Sequence, residues 1–262
     1  MSEQEKVRAI RSAMPAVMEH VYLNTGTFGP LPRVVTDAMR TESERELIDG
    51  RITATSYERA TQLKQLAREE VAQLLHCRPE QITLTRHTTD GINLAVMGRN
   101  WQPGDEIVTT DMEHPGAQGP IFNVARRFGV VVRTARLGTG AGDVVSAIAR
   151  LINTRTRMVV LSHLTWNTGA ILPVAEVAEL AHRVGALVVV DGAQSAGSIP
   201  VDVTALGVDV YAIPGQKWLC GPEGTGAVYF SDDALDQLHL TIVGYASLAP
   251  NGLEPIGGYF IP

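Results

Sequence analysis

The sequence predicts an α/β fold in which a mostly parallel, seven-stranded sheet carries helices on both faces. Short runs of β-branched and apolar residues alternate with amphipathic segments along most of the chain. These runs are apolar almost throughout, which is typical of parallel strands buried on both faces. Hydrophobic residues make up 45% and charged residues 19% of the 262 residues, a balance that supports a large core and excludes a disordered chain.

Two helices are predicted before the first strand, at residues 34–48 and 57–75. In the second helix, apolar residues recur at the helical period and form one stripe. The members of this stripe are Leu63, Leu66, Ala67, Val71, Leu74 and Leu75.

Strands and helices then alternate to residue 230. The predicted strands are 81–85, 106–110, 130–136, 158–162, 187–191, 208–213 and 226–230, and the predicted helices are 89–99, 118–128, 143–152 and 174–183. Because only a short loop separates the last two strands, we expect the last one to be antiparallel. Residues 251–262 are rich in Gly and Pro and are predicted to be loop.

Composition excludes several classes of function. With 22 Lys and Arg against 28 Asp and Glu, the net charge is −6, which argues against a nucleic-acid partner. The two cysteines, Cys77 and Cys220, have no neighbouring Cys or His cluster, so we expect a reducing compartment and no metal site. No signal peptide and no membrane-spanning run is recognisable. We therefore expect a cytoplasmic protein without a membrane partner.

Ligands of open parallel sheets bind beyond the carboxyl ends of the strands, and the residues there indicate an anion site. Thr88 and Thr89 open the helix after the first strand, where hydroxyls and free N–H groups suit a phosphate. Taken alone, either threonine is more typical of an N-cap. His114, in the loop after the second strand, is by itself more typical of a structural histidine.

An aspartate and a lysine complete the candidate site. Asp191 ends a buried strand, where it either caps the next segment or pairs with a cationic ring nitrogen. Lys217 is the only charged residue between Asp209 and Glu223, and a desolvated lysine is more readily neutral, the form that makes a Schiff base. A phosphate cradle, an aspartate and such a lysine together indicate pyridoxal phosphate (PLP).

The chain resembles the class V, fold type I family of PLP enzymes, which includes cysteine desulfurases, C–S lyases, epimerases and some aminotransferases. Within this family, the sequence motifs look most similar to those of the cysteine/cystine C–S lyases. The matching motifs are Tyr-Leu-Asn-Thr-Gly at 22–26, Thr-Thr-Asp-Gly-Ile-Asn at 88–93, Glu-His-Pro-Gly at 113–116, Ser-His-Leu-Thr-Trp-Asn-Thr-Gly at 162–169, Val-Asp-Gly-Ala-Gln-Ser-Ala-Gly at 190–197, and Gly-Gln-Lys-Trp at 215–218 with Gly-Pro at 221–222.

The resemblance implies that residues 1–262 are the PLP-binding large domain of a homodimer. The family's C-terminal small domain is then expected to be missing, with residues 1–20 packing on it. The substrate-binding arginine, the partner subunit's phosphate contact and the desulfurase cysteine would lie in the missing part.

The resemblance also implies roles for individual residues. Lys217, His114 and Asp191 would be catalytic: Lys217 would bind PLP covalently, Asp191 would keep the ring nitrogen protonated, and His114 would stack on the ring. The cofactor-binding residues would be Thr88 and Thr89 at the phosphate, Gln194 at the phenolic oxygen, and Asn167, Ala193 and Gln216 around them. Many relatives have Ser-Gly-His before the lysine. Pro214 therefore loses one phosphate contact here, whereas Gln216 can still donate.

The expected activity is PLP-dependent cleavage of a C–S bond in a small amino acid, by β-elimination or desulfuration of cysteine or cystine. Transamination and epimerisation share the removal of the α-proton, so these features do not separate them. A truncated, non-catalytic PLP-binding remnant is a further alternative. A nucleotide-binding dehydrogenase fits poorly, because Gly-Thr-Gly-Ala-Gly at 138–142 is not the G-x-G-x-x-G fingerprint.

Overall fold

In a computed structural model, which describes residues 2–244 and 247, seven strands form one sheet. The strands are β1 (Ile82–Thr85), β2 (Glu106–Thr110), β3 (Val131–Ala135), β4 (Thr156–Ser162), β5 (Leu187–Asp191), β6 (Val210–Pro214) and β7 (Gly226–Phe230). Their order across the sheet is β1-β7-β6-β5-β4-β2-β3. β7 runs antiparallel to both neighbours and every other neighbouring pair is parallel, so the predicted sheet is confirmed. The loop predicted at 251–262 lies outside the described residues.

Helices connect and flank these strands. They are α1 (Glu3–Ala13), α2 (Ala16–Glu19), α3 (Arg33–Asp49), α4 (Ala54–Leu75), α5 (Thr88–Gly98), α6 (Pro115–Phe128), α7 (Val144–Ala149), α8 (Val174–His182), α9 (Val203–Leu206) and α10 (Asp232–Gln237). Each predicted helix is present, with its ends shifted by up to three residues. None of the helices in the described part of the chain is long and apolar enough to cross a membrane.

Two helix starts differ from the prediction for reasons of capping. The N-cap of α5 is His87, whose Nδ1 accepts a hydrogen bond from the Asp90 N–H, so the N-cap expected at Thr88 or Thr89 is wrong. α6 begins three residues before residue 118 because His114 caps it and Pro115 fits the first helical position, where an N–H is not needed.

The core consists of two apolar clusters, one on each face of the sheet. Neighbouring side chains of β5 point to opposite faces, so Val188 and Val190 belong to one cluster and Val189 to the other. The first cluster packs beneath α7 and α8, and the second beneath α5 and α6. Helices therefore cover both faces, as the apolar strands predict.

The apolar stripe predicted on α4 is only partly used within this chain. Leu75, at the end of the helix, is fully buried, whereas Leu66 keeps 54% of its surface exposed. No residue of α3 is buried. The two long N-terminal helices therefore present apolar side chains to solvent, while the sheet holds most of the core.

At the amino end of the sheet, a buried carboxylate on β2 binds side chains from β3 and from the segment before β4. Glu106 on β2 accepts hydrogen bonds from Arg133 on β3, from Asn153 and from Arg155. The bonds from Arg133 are the largest cause that lowers the pKa of Glu106, to about 2. This cluster fixes the end of the sheet opposite to the carboxyl ends of the strands.

We expect the substitution Glu106→Gln to lower the free energy of unfolding by about 2 kcal/mol at neutral pH, because the arginines lose their charged partner. The folded pKa lies below the ordinary 4.5, so the contribution of Glu106 is present above pH 4.5 and is lost as the pH falls toward 2. Urea denaturation of both proteins across that range measures the difference. A difference that stays constant with pH would contradict this account.

Candidate active site

The candidate site lies at the carboxyl ends of the parallel strands. β2, β4, β5 and β6 end at Thr110, Ser162, Asp191 and Pro214, and each is followed by a loop that carries residues predicted from the sequence. Because these strands are parallel, their loops meet at one edge of the sheet.

Asp191 is a buried charged group of the site, with 5% of its surface exposed. Within residues 2–244 and 247, its carboxylate accepts a hydrogen bond from the backbone N–H of Ala193, at 2.9 Å. Burial raises the pKa of Asp191, and the nearby Lys217 and His114 oppose that rise. The structure therefore brings the predicted aspartate, lysine and histidine together, and among the described residues the aspartate has no cation as a hydrogen-bond partner.

Lys217 lies in a tight loop directly after β6. The N–H of Gly215 donates to the Thr225 carbonyl, and a Cβ on Gly215 would lie 2.2 Å from Thr225 Oγ1, so the loop requires glycine there. The lysine is half-buried. Burial lowers the pKa of its amine, and the charge of Asp191 partly opposes this. A larger share of this amine is therefore neutral than in an exposed lysine.

The first turns of α5 and α6 lie side by side. His114 Nδ1 accepts a hydrogen bond from the Gly116 N–H at 3.0 Å, so Nε2 holds the proton of the neutral ring. A Cβ on Gly116 would lie 2.6 Å from Thr89 Oγ1, which shows how closely the two helices approach. Thr88, also predicted to bind phosphate, is buried in the first turn of α5. Helix N-termini with free N–H groups favour anions.

Gln194 is held between two segments of the chain. Its Oε1 accepts from the Trp218 indole N–H at 2.8 Å, and its Nε2 donates to the Gly26 carbonyl at 2.9 Å. One N–H of the amide remains for a ligand. The contact predicted between Gln194 and a phenolic oxygen therefore stays a prediction.

The other two predicted binding residues are placed differently. Asn167 is exposed beside Trp166, whose indole ring meets the His114 ring edge to face at a centroid distance of 5.5 Å. The Gln216 carbonyl accepts from the Gly29 N–H at 2.7 Å. The side-chain Oε1 of Gln216 is buried and has no hydrogen-bond partner in the part of the chain that the structure describes.

Two features of the site were not predicted from the sequence. Glu113 precedes His114 and is buried between the ends of β2 and β4, and its pKa is raised to about 7, chiefly by burial. Tyr211 lies beneath Gly192, and its hydroxyl bonds to His163 Nδ1 and Ser195 Oγ. A Cβ on Gly192 would lie 2.3 Å from the tyrosine ring. The bonds of Glu113 to Ser162 and of Tyr211 to His163 and Ser195 join residues far apart in sequence, so spacing alone gives no signal for them.

A metal ion is one kind of partner for a buried carboxylate such as Asp191. Within residues 2–244 and 247, however, no group of three or more His, Cys, Asp and Glu side chains is arranged to hold a metal ion. The donors near Asp191 are a lysine amine and an imidazole, which suit an organic ligand with a ring and an anionic group.

Comparison with known proteins supports this chemistry. The probable cysteine desulfurase of Methanothermobacter thermautotrophicus is 35% identical over 237 residues, which are 90% of this chain and 59% of the relative. The isopenicillin N epimerase of Amycolatopsis lactamdurans is 38% identical over 223 residues, which are 80% of this chain and 54% of the relative. The chain thus spans a little over half the length of these relatives.

Solved structures of C-DES share the fold. A C-DES mutant with glycine covalently linked to its PLP cofactor matches with a TM-score of 0.90 and 35% identity, covering 95% of this chain and 67% of that one. A second structure, of the cystine C–S lyase C-DES with its reaction product cysteine persulfide, matches with a TM-score of 0.87 and 36% identity, covering 90% and 64%. The model of the family described as aminotransferase class-V matches residues 21–249. This chain belongs to the class V aminotransferase family.

Proposed function

We propose that this chain is the cofactor-binding part of a PLP-dependent enzyme that cleaves a carbon–sulfur bond of cysteine or cystine. The observation that carries the proposal is the buried Asp191 carboxylate next to a half-buried lysine and a histidine at the carboxyl edge of the sheet. The substrate class is supported by the desulfurase and C–S lyase relatives.

The residues of the site fit PLP. Asp191 is buried with a backbone N–H as its hydrogen-bond donor in the described part of the chain, so the protonated ring nitrogen of PLP would supply the missing cation. The buried Oε1 position of Gln216, which has no partner there, also leaves a polar group for the ligand. Thr88 and Thr89, in the first turn of α5, would bind the phosphate.

Each residue then has a distinct task. Lys217 would hold the cofactor covalently, since its lowered pKa favours the neutral amine that bonds to a carbonyl carbon. Asp191 would keep the ring nitrogen protonated, and His114 would lie against the ring. When bound, PLP accepts the electron pair left at the substrate α-carbon.

Once the amino group of the substrate has replaced Lys217 in the covalent link, the freed Lys217 amine would act as the base in the reaction. Its Nζ would take the α-proton of the substrate, and the Cβ–S bond would then break with the electron pair leaving on sulfur. For cysteine the sulfur leaves as sulfide, and for cystine it leaves as cysteine persulfide. Burial keeps a larger share of the amine neutral, and the neutral amine is the form that can accept the proton.

The proposal extends to assembly and location. Residues 1–262 would form the PLP-binding large domain of a cytoplasmic homodimer. Exposed apolar side chains on α3, such as Leu47 and Ile48, support burial against a further surface, since exposed apolar patches mark interaction sites. The two free cysteines, Cys77 and Cys220, suit a reducing compartment.

The first prediction concerns the covalent link to PLP. We expect borohydride reduction of the PLP-loaded protein to place the pyridoxyl group on Lys217, because Lys217 is the lysine that lies beside Asp191. Peptide mass mapping locates the adduct. Lys217→Ala should abolish it, whereas the control Lys64→Ala, on exposed α4, should retain it. An adduct on Lys64 in the wild-type protein would contradict the assignment.

The second prediction concerns the reaction. With cysteine or cystine, we expect pyruvate together with sulfide or persulfide, and Asp191→Asn should lower the rate by about 10- to 100-fold, the worth of a charge-assisted hydrogen bond. Product analysis by chromatography measures both. Racemised substrate without pyruvate would favour epimerisation, and a Lys217 adduct without any turnover would favour a non-catalytic cofactor-binding chain.

A further inference from the structure

We propose that Glu113 is a positioning residue whose buried carboxylate ties the His114 loop to the strand beside Asp191 and ionises as a cationic ring occupies Asp191. The inference rests on the proposed function, because the cation is the protonated ring of the cofactor. It adds a role for a residue that does not itself touch the ligand.

The hydrogen bonds of Glu113 join two strand ends. Glu113 is 3% exposed. Its Oε1 accepts from the Thr110 hydroxyl at the end of β2, at 2.5 Å. That hydroxyl in turn accepts from the Met112 N–H, so its single proton goes to Glu113. Glu113 Oε2 accepts from the Ser162 hydroxyl at the end of β4, at 2.6 Å. The carboxylate thereby fixes the chain immediately before His114.

The same contacts bring Glu113 next to Asp191. Ser162 is the register partner of Asp191 in the β4–β5 pair, so the two carboxyl groups lie on either side of one strand end. Burial is the largest cause that raises the pKa of Glu113, and the charge of Asp191 raises it further. The other ionisable side chains at this place, Lys217 and His114, oppose the rise in the pKa of Asp191. Thr110 and Ser162, which face Glu113 from β2 and β4, are uncharged.

Glu113 and Asp191 repel each other when both are ionised, so the ionisation of Glu113 depends on whether a cation is bound at Asp191. Because its pKa is raised to about 7, Glu113 is protonated in part of the free protein at neutral pH. A cation bound at Asp191 offsets the negative charge that opposes ionisation of Glu113, so Glu113 loses its proton on binding. By linkage, the cation binds more weakly below pH 7, where that proton must be removed, and more tightly above it.

The test uses 4′-deoxypyridoxine 5′-phosphate, which keeps the ring nitrogen and the phosphate but lacks the aldehyde that reacts with Lys217. Its dissociation constant is measured by calorimetry at pH values from 6 to 8 for wild type and Glu113→Gln. Protonation of the probe contributes equally to both dissociation constants, so it cancels in the ratio of the wild-type constant to that of Glu113→Gln. We expect the affinity of wild type relative to the variant to rise about tenfold from pH 6 to pH 8.

A merely structural role would lower affinity by the same factor at every pH, and that result would overturn the proposal. Glu106→Gln is the matched control, because it removes a buried carboxylate from the other end of β2, and it should leave the pH dependence unchanged. If Glu113→Gln does not fold, Ser162→Ala replaces it. Loss of that hydrogen bond raises the pKa of Glu113 further, so the pH range of the rise should move upward, and an unmoved range would overturn the proposal.

The experiment also separates this inference from the proposed function. Failure of the wild-type protein to bind either PLP or the deoxy probe would contradict the cofactor assignment. Binding of both by wild type, with a ratio to Glu113→Gln that does not change with pH, would contradict the role of Glu113 alone.

Discussion

The arrangement of the site depends on one buried carboxylate. Asp191 lies at the end of a central strand, where removing an ionised carboxylate from water costs several kcal/mol unless a cation or hydrogen bonds compensate. The described residues supply one backbone N–H, and the nearby Lys217 and His114 oppose the rise in the pKa of Asp191. The incomplete compensation is the reason that we propose a cationic ring as the ligand at this edge of the sheet.

Buried carboxyl groups at the two ends of the sheet have different partners, and their pKa values are shifted in opposite directions. At the amino end, Glu106 has direct partners in Arg133 and Arg155, and its pKa is lowered to about 2. At the carboxyl end, burial raises the pKa values of Glu113 and Asp191 instead. Residues at the first end stabilise the fold, whereas groups with raised carboxyl pKa values are typical of functional sites.

The sheet was predictable from the sequence, and so was the placement of Asp191 and Lys217 at its carboxyl edge, because their sequence signals are local. Apolar runs mark the strands, and Lys217 stands alone in an uncharged stretch after a core strand. Glu113 and Tyr211 were not predictable, because their hydrogen bonds reach Ser162 and Ser195 across the fold. The predicted N-cap of α5 was wrong, because His87 and not a threonine has the extended backbone of an N-cap. On α4, periodicity predicts the helix but not how much of its stripe is covered.

The role that we propose for Asp191 is to hold a protonated ring nitrogen. The most direct measurement is the nitrogen-15 chemical shift of ring-labelled PLP bound to wild type and to Asp191→Asn. The account predicts the shift of a protonated pyridinium in wild type and a displacement toward the neutral pyridine in the variant, because the amide cannot supply the negative charge. A neutral ring nitrogen in wild type, or an identical protonated shift in both proteins, would contradict it.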